Sequence, residues 1–251
     1  MKTLVLGHKI VKTFGEGNEK QTVLREVSVQ IEKGEFVAVM GPSGSGKSTL
    51  LFALSGMESI DGGTVSFNGQ NLAKLSEDAL SQLRRTGMGF VFQQPTMLKN
   101  LDILDNILLP ALRGYHKNVD ILTEKADMLM RKMGIEELKG RNITEVSGGQ
   151  LQRAGICRAL LMAPEIIFCD EPTGALNTRS ANETMKLFSR INAEGTALLL
   201  VTHDTRVAAN AQRILFMRDG RIVDELHLTK QGDGVEENLK KIVQRLEHLR
   251  I

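Results

Sequence analysis

The stretch Val37-Ala-Val-Met-Gly-Pro-Ser-Gly-Ser-Gly-Lys-Ser-Thr49 decides the fold. It reads as a buried strand, a glycine-rich turn and the opening of a helix. Gly41, Gly46, Lys47 and Ser48 match the phosphate-binding loop pattern, with four residues between the two glycines. Glycines let the backbone curl until successive N–H groups point inward at phosphate oxygens. The helix that follows adds its positive end. On this reading Gly41, Pro42, Ser43, Gly44, Ser45, Gly46, Lys47, Ser48 and Thr49 cradle the phosphates of a nucleotide. Lys47 reaches the β- and γ-phosphates, and the Ser48 hydroxyl takes a place on Mg²⁺. The apolar strand Phe36–Met40 and the apolar helix residues Leu50, Leu51 and Leu54 set the motif apart from an ordinary glycine turn.

Further along, Ile166-Ile-Phe-Cys-Asp-Glu171 is an apolar strand ending in two carboxylates. A buried strand that delivers an Asp to its carboxyl end is how phosphate-loop enzymes hold Mg²⁺, and Asp170 fits that role. Glu171, one residue on, is the candidate general base for a water behind the γ-phosphate. His203 follows the apolar strand Ala197–Thr202 and can donate a hydrogen bond to a γ-phosphate oxygen. Gln93 ends the strand Gly87–Phe92, where a neutral amide can touch both Mg²⁺ and the attacking water. Phe14 either stacks on an adenine or packs as a core aromatic; spacing leaves both open.

Val146-Ser-Gly-Gly-Gln150 precedes an apolar helix and makes a second anion site at a helix N-terminus. One γ-phosphate does not need two such sites in one chain. The economical arrangement is a head-to-tail dimer. Each nucleotide is then clamped between the phosphate loop of one copy and Ser147, Gly148, Gly149 and Gln150 of the other.

The chain has 251 residues, of which 41% are hydrophobic, enough for one large domain or two small ones. Thirty-two basic and 30 acidic residues leave a net charge of +2, which gives no reason to expect nucleic acid as a partner. No apolar run reaches the length of a membrane span, so a membrane role calls for another subunit. Cys157 and Cys169 make neither a disulfide framework nor a metal site.

Strands dominate the first forty residues. Val65 and Phe67, bracketed by Gly62-Gly63 and Asn68-Gly69, form a short hairpin-like strand. A short helix is expected over Ser76–Arg85. The segment from Gln93 to about Glu145 carries helical spacing, with helices over Asp102–Leu109 and Asp120–Met133, the second stopped by Gly134. Helices over Gly149–Met162 and Thr178–Ala193 then alternate with strands, and Arg213–Glu225 turns as a hairpin at Asp219-Gly220. The alternation predicts an α/β fold with a mainly parallel sheet and an antiparallel edge.

Taken together, Gly-Pro-Ser-Gly-Ser-Gly-Lys-Ser-Thr, Gln93, Ser-Gly-Gly-Gln, Ile-Ile-Phe-Cys-Asp-Glu-Pro-Thr and His203 resemble the ATP-binding cassette ATPases over nearly the whole chain. The resemblance implies a RecA-like P-loop core, an antiparallel β edge subdomain and an α-helical insertion. The cassette would span 1–226, with its core at about 1–93 and 154–226, its insertion at about 94–153, and a helical extension at 227–251. Also implied are ATP and Mg²⁺, dimerisation on ATP, and a separate membrane permease at the cytoplasmic face of the membrane. Within the family, Asp-Glu-Pro-Thr-Gly-Ala-Leu-Asn and Leu-Lys-Asn-Leu-Asp-Ile-Leu-Asp-Asn-Ile look most like the bacitracin and lantibiotic resistance branch of bacteria. The alternative output is signalling without cargo, as in the cell-division cassette. Two positions depart from the pattern. Val146 stands where Leu is usual, and Asn177 where Asp is usual.

Two further expectations concern surfaces. Met97, Leu98, Leu101, Ile103 and Leu104 are more apolar than a solvated loop needs, and some of them are expected to line a groove for a short permease helix. Val235, Leu239, Ile242, Leu246 and Leu249 form one helical stripe, with Asp233 and Glu236 at capping-box spacing. So short a helix is marginal alone, so the stripe must dock, on the cassette core or on the same helix of a second copy.

Overall fold

Period-two burial on one strand builds both halves of the core. In β3 (Phe36–Met40) every residue is buried. Phe36, Ala38 and Met40 point into one apolar cluster, and Val37 and Val39 into the other. A strand covered on both faces has no polar side, the usual condition of a parallel sheet. Residues 2–112, 119–228 and 234–250 of the computed structural model are described here, apart from the Asn18 side chain.

Two sheets organise these residues. The first is antiparallel, in the order β2 (Gln21–Glu32), β1 (Thr3–Phe14), β4 (Gly62–Phe67) and β5 (Gln70–Asn71). The second runs β10 (Arg221–His227), β9 (Arg213–Arg218), β3, β8 (Ala197–Val201), β7 (Ile166–Asp170) and β6 (Met88–Phe92). Its strands are parallel except at the β9–β10 hairpin. That hairpin turns through Asp219 and Gly220, both at positive φ, as its type I′ chemistry requires. This is the α/β architecture expected, with its antiparallel edge and helical insertion.

Helix α1 (Lys47–Leu54) joins the cluster shared with the antiparallel sheet. Ser76 caps α2 (Glu77–Gly87) by accepting from the Ala79 N–H at 3.3 Å. The insertion contributes α3 (Ile103–Leu112) and α4 (Val119–Lys132), and Gly134, at φ 66°, ends the turn after α4. Helix α3 runs past its expected end and includes Pro110. Buried Asn106 ties the incoming loop to α3, accepting from the Leu98 N–H at 2.7 Å and donating to the Leu98 carbonyl at 3.0 Å. The insertion boundary expected near residue 153 falls inside α5 (Gly148–Leu160). That helix packs on α3 and α4 and also on β6, so one rigid rod serves both parts. Helices α6 (Thr178–Ala193) and α7 (Thr205–Ala208) complete the α/β core.

The last helix, α8 (Val235–Leu249), lies on the core rather than free. Ile242 is fully buried, with Leu246 and Leu249 packed on the same cluster. Asn238 donates to the Ala209 carbonyl at 3.3 Å, Arg245 meets Asp224 at 3.2 Å, and Arg218 donates to the Leu249 carbonyl at 2.7 Å. Asp233 lies outside the described residues. Gly234 precedes the helix, and among the described residues no side chain caps it.

Both cysteines are buried. Burial pushes the Cys157 thiol up to about 12 and the Cys169 thiol well above its ordinary range. The thiolate is the reactive species. Iodoacetamide at mildly alkaline pH is therefore expected to leave the folded chain unlabelled and to modify both cysteines once denaturant is added. Labelling of the folded chain would contradict this burial.

Candidate functional site

Sheet order brings the chemistry together. Strands β3, β8, β7 and β6 are neighbours. Each delivers one part at or just beyond its carboxyl end: the phosphate loop, His203, the Asp170–Glu171 pair and Gln93. The carboxyl edge of a parallel sheet is where such folds bind ligands.

The loop is held by close approach. A Cβ on Gly41 would lie 2.1 Å from the Met217 carbonyl oxygen, so no side chain fits there. Gly46, at φ 96°, opens α1, and a Cβ there would meet the Val23 carbonyl at 2.9 Å. Pro42, Ser43 and Gly44 form the exposed crest, while Ser45, Gly46 and Lys47 are buried. Ser45 Oγ is buried with no hydrogen-bond partner, a free polar atom in the wall of the cradle. Lys47 Nζ donates to the carbonyls of Gly41 at 2.9 Å and Pro42 at 2.8 Å. Burial lowers the Lys47 ammonium from its ordinary range, while the Glu171 and Asp170 charges pull it back up.

Ser48 Oγ donates to Asp170 Oδ1 at 2.8 Å. Burial raises the Asp170 carboxyl from its ordinary range; the Ser48 hydrogen bond opposes this, the Glu171 charge adds to it, and Lys47 opposes it. A carboxylate beside a hydroxyl is a hard oxygen donor set that suits Mg²⁺. Among the described residues no cluster of three or more His, Cys, Asp or Glu forms an all-protein metal cage. Mg²⁺ ordinarily completes its shell with water and substrate phosphates, so the two oxygens fit it. Gln93 lies against Gly174, whose Cβ would come within 2.9 Å of Gln93 Nε2.

Glu171 is held by its own backbone. Its N–H donates to the Val201 carbonyl at 3.0 Å, tying the end of β7 to β8, and its φ of 47° is left-handed. That conformation costs a non-glycine residue about 1–2 kcal/mol. His203 Nδ1 and Glu171 Oε1 lie 3.0 Å apart. The base and donor inferred separately from the sequence therefore touch.

Gln152 was not anticipated. It is fully buried on α5 and donates to the carbonyls of Phe92 at 3.1 Å and Pro172 at 2.7 Å. Those carbonyls lie next to Gln93 and Glu171, so one amide links the two loops. The available signal was a polar side chain among Ala154, Ile156 and Cys157 on a buried helix.

Ser147 caps α5, accepting from the Gln150 N–H at 3.3 Å, while Gln150 Oε1 accepts from the Ser147 N–H at 2.9 Å. Gly148 and Gly149 face Leu176 and Ser180. Among the described residues no hydrogen bond joins this helix end to the phosphate loop of the same chain. Val146, standing in for Leu, packs partly buried on the main cluster. Asn177 caps α6 by accepting from the Ser180 N–H at 2.9 Å. Asn and Asp cap about equally, which accounts for the departure from Asp. Asn177→Asp should therefore leave the melting temperature unchanged, and Asn177→Ala should cost about 1 kcal/mol. Equal melting of all three would show that the cap is idle.

Phe14 is 42% exposed at the end of β1, with Lys12 Nζ 4.9 Å from its ring centroid. It is not a core aromatic. Its neighbour Thr13 pairs with Thr22, one residue before the Val23 that touches Gly46.

A second concavity of about 330 Å³ lies between α2, β6, α3 and α5. Phe90, Phe92, Thr96, Ile107, Pro110 and Arg158 are among its walls. Residues 97–104, some of which were expected to line a groove, divide between core and surface. Ile103 is fully buried, Met97 and Leu104 pack on the main cluster, and Leu98 is exposed.

Known proteins fit this geometry. The ABC transporter family matches residues 24–174. The chain is 38% identical to the bacitracin export ATP-binding protein BceA of Halalkalibacterium halodurans, over 94% of this chain and 92% of BceA. It is 40% identical to the macrolide export ATP-binding/permease protein MacB of Neisseria gonorrhoeae, over 89% of this chain and 34% of MacB. It thus spans about a third of the length of its MacB relatives. The dimeric post-hydrolysis structure of the ATP-binding cassette MJ0796, bound to ADP and Pi, superposes with a TM-score of 0.81 at 33% identity, over 91% of this chain and 100% of that one. Family match, near full-length relative and nucleotide-bound neighbour agree: the chain belongs to the ABC transporter family and is an ATP-hydrolysing cassette.

Proposed function

We propose that two copies of this chain close head-to-tail on ATP and drive a separate membrane permease from the cytoplasmic face. The output is export of, or resistance to, antimicrobial peptides. The observation that carries the reading is the meeting of Ser48, Asp170, Glu171 and His203 at one sheet edge, while Ser147–Gln150 caps a helix with no hydrogen bond to that edge. A second copy would bring its Ser147, Gly148, Gly149 and Gln150 to the γ-phosphate. BceA, matched almost end to end, supports the branch. Among the described residues no helix is long and apolar enough to cross a membrane, in keeping with a permease on another chain.

In this reading the loop N–H groups and Lys47 hold the phosphates, and Phe14 stacks on the adenine. Ser48, Asp170 and Gln93 would hold Mg²⁺, which supplies charge neutralisation on the phosphates. Glu171 takes the proton from the attacking water. His203 orients that carboxylate and donates to the γ-phosphate. Lys47 and the second copy's helix end stabilise charge on the transferred group, where most phosphoryl-transfer catalysis lies. The permease docks in the concavity between α2, β6, α3 and α5.

Purification of the chain from its host membranes tests the partner. A permease with a large extracellular insertion supports peptide resistance. A small four-span partner would favour signalling, and absence of any integral membrane partner would overturn the reading.

A further inference from the structure

Gln152 sits on α5 with no exposed surface, and its Oε1 is buried without a hydrogen-bond partner. Its Nε2 donates to the Phe92 carbonyl at 3.1 Å and to the Pro172 carbonyl at 2.7 Å. Carbonyls accept and cannot donate, so the amide nitrogen has to face them and the oxygen is left over. A buried polar atom without a partner costs stability. An unbranched apolar side chain would fill the same space beside Ala154, Ile156 and Cys157 without an orphaned oxygen. What it would lose is the tie between the two carbonyls.

Those carbonyls belong to the residues directly beside Gln93 and Glu171. Around Glu171 the backbone is fixed on both sides. Its N–H donates to the Val201 carbonyl at 3.0 Å, and its carbonyl accepts from the Gly174 N–H at 3.0 Å. The next carbonyl, that of Pro172, is the one held by Gln152. Gln93 lies against the same loop, where a Cβ on Gly174 would come within 2.9 Å of Gln93 Nε2. The two loops are thus linked twice, directly at Gln93 and Gly174 and through the Gln152 amide. We propose that Gln152 is a positioning residue for hydrolysis: it sets the spacing between Gln93 and Glu171, so that the water Gln93 touches lies within reach of the base. The proposal rests on the roles given above to Gln93 and Glu171 and adds what holds them in register. Both stand on loops past strand ends, and a loop holds a reacting group in place only when other groups lock it. A general base has to lie within hydrogen-bond reach of the proton it takes, and a misplacement of about 1 Å costs on the order of 100-fold in rate.

The test compares the wild type, Gln152→Met, Glu171→Gln and the double variant as full-length chains, with thermal melting as the control for folding. Methionine keeps the length of glutamine and removes both donors. Gln152→Met is expected to lower kcat by about 10- to 100-fold. Its KM for ATP and its affinity for ADP should stay within about 2-fold of the wild type, because the phosphate loop is untouched. Nucleotide extracted from the variant during turnover should contain a larger share of ATP. In the Glu171→Gln background the same change should cost no more than about a further 2-fold, since a residue that acts through the base has nothing left to position. If Gln152→Met does not fold, Gln152→Glu carries the comparison; it keeps the shape and, protonated, one donor, and its loss should follow the same pattern. Wild-type kcat in the folded variants, an equal loss in both backgrounds, or a loss confined to KM and ADP affinity would overturn the proposal. So would failure of both variants to fold, which would assign the amide to stability alone. Near-normal turnover by Glu171→Gln on its own would overturn the base reading, and the proposal with it.

Discussion

Glu171→Gln is expected to bind ATP normally and to hydrolyse it roughly 10²–10⁴-fold more slowly, the usual cost of losing a general base. The replacement keeps shape and polarity. Glutamine's amide oxygen can still face His203 Nδ1, now 3.0 Å from Glu171 Oε1. The backbone that aims the side chain is untouched, because the Glu171 N–H bond to Val201 does not involve the side chain. Only the capacity to take a proton from water is lost. The phosphate loop, Ser48 and Asp170 remain, so binding should persist while the product-forming step stalls. The chain should then accumulate as an ATP-bound dimer, visible by gel filtration with ATP and absent with ADP. Near-normal turnover, or a variant that no longer binds ATP, would remove Glu171 from this role. An ATP-bound variant that stays monomeric would instead count against the head-to-tail arrangement.

The second large effect concerns α8. Ile242 is fully buried, and truncating a buried Ile to Ala costs about 2–5 kcal/mol. In a chain of this size about 2–4 °C of melting temperature goes with each kcal/mol, so Ile242→Ala should lower it by roughly 10 °C. There is a ceiling. If the helix detaches before the cassette unfolds, the loss equals the docking energy of α8 and no more. Deleting 234–251 should therefore destabilise at least as much as Ile242→Ala, and the two should coincide if the point variant undocks the helix. Asn238, Arg245 and Leu246 leave with it, so the deletion also exposes the Ala209 carbonyl and frees Asp224. ATP-dependent dimerisation should be unchanged, because the stripe faces its own core. Unaltered melting for both variants would mean that the contact contributes nothing. Weaker dimerisation at unchanged melting would place the stripe at the interface between copies.

The motifs were legible in the sequence because each carries its physics within a few consecutive residues. A glycine-rich turn before a helix makes an anion site wherever it occurs. Four apolar residues ending in Asp-Glu must deliver carboxylates to a strand end. The caps that the structure shows at Ser147 and Asn177 are equally local, each reaching an N–H three residues on. Amphipathic spacing likewise revealed α8, and glycines at positive φ marked the turns after α4 and within the β9–β10 hairpin.

Only the tertiary structure decided which motifs meet. Ser48 and Asp170 are 122 residues apart in sequence and 2.8 Å apart in space, because β3, β8 and β7 are neighbours. Strands buried on both faces have no polar side from which to read their order. Gln152 could not be assigned to its two carbonyls for the same reason, since they come from different strand ends. The apolar segment at 97–104 left its partner open because hydrophobicity reports burial without saying against what. Ile103 spends it inside the insertion, leaving the concavity to Phe90, Ile107 and Pro110. On pattern alone the stripe of α8 fits its own core or a second copy, the core being favoured because two heptads are few for a coiled coil. What chose the core was specific geometry: Asn238 at the Ala209 carbonyl, Arg245 at Asp224, and room for Ile242 beside α7. Local propensity and pattern therefore fixed the parts of this protein, and strand order and side-chain fit, which depend on distant residues, fixed their assembly.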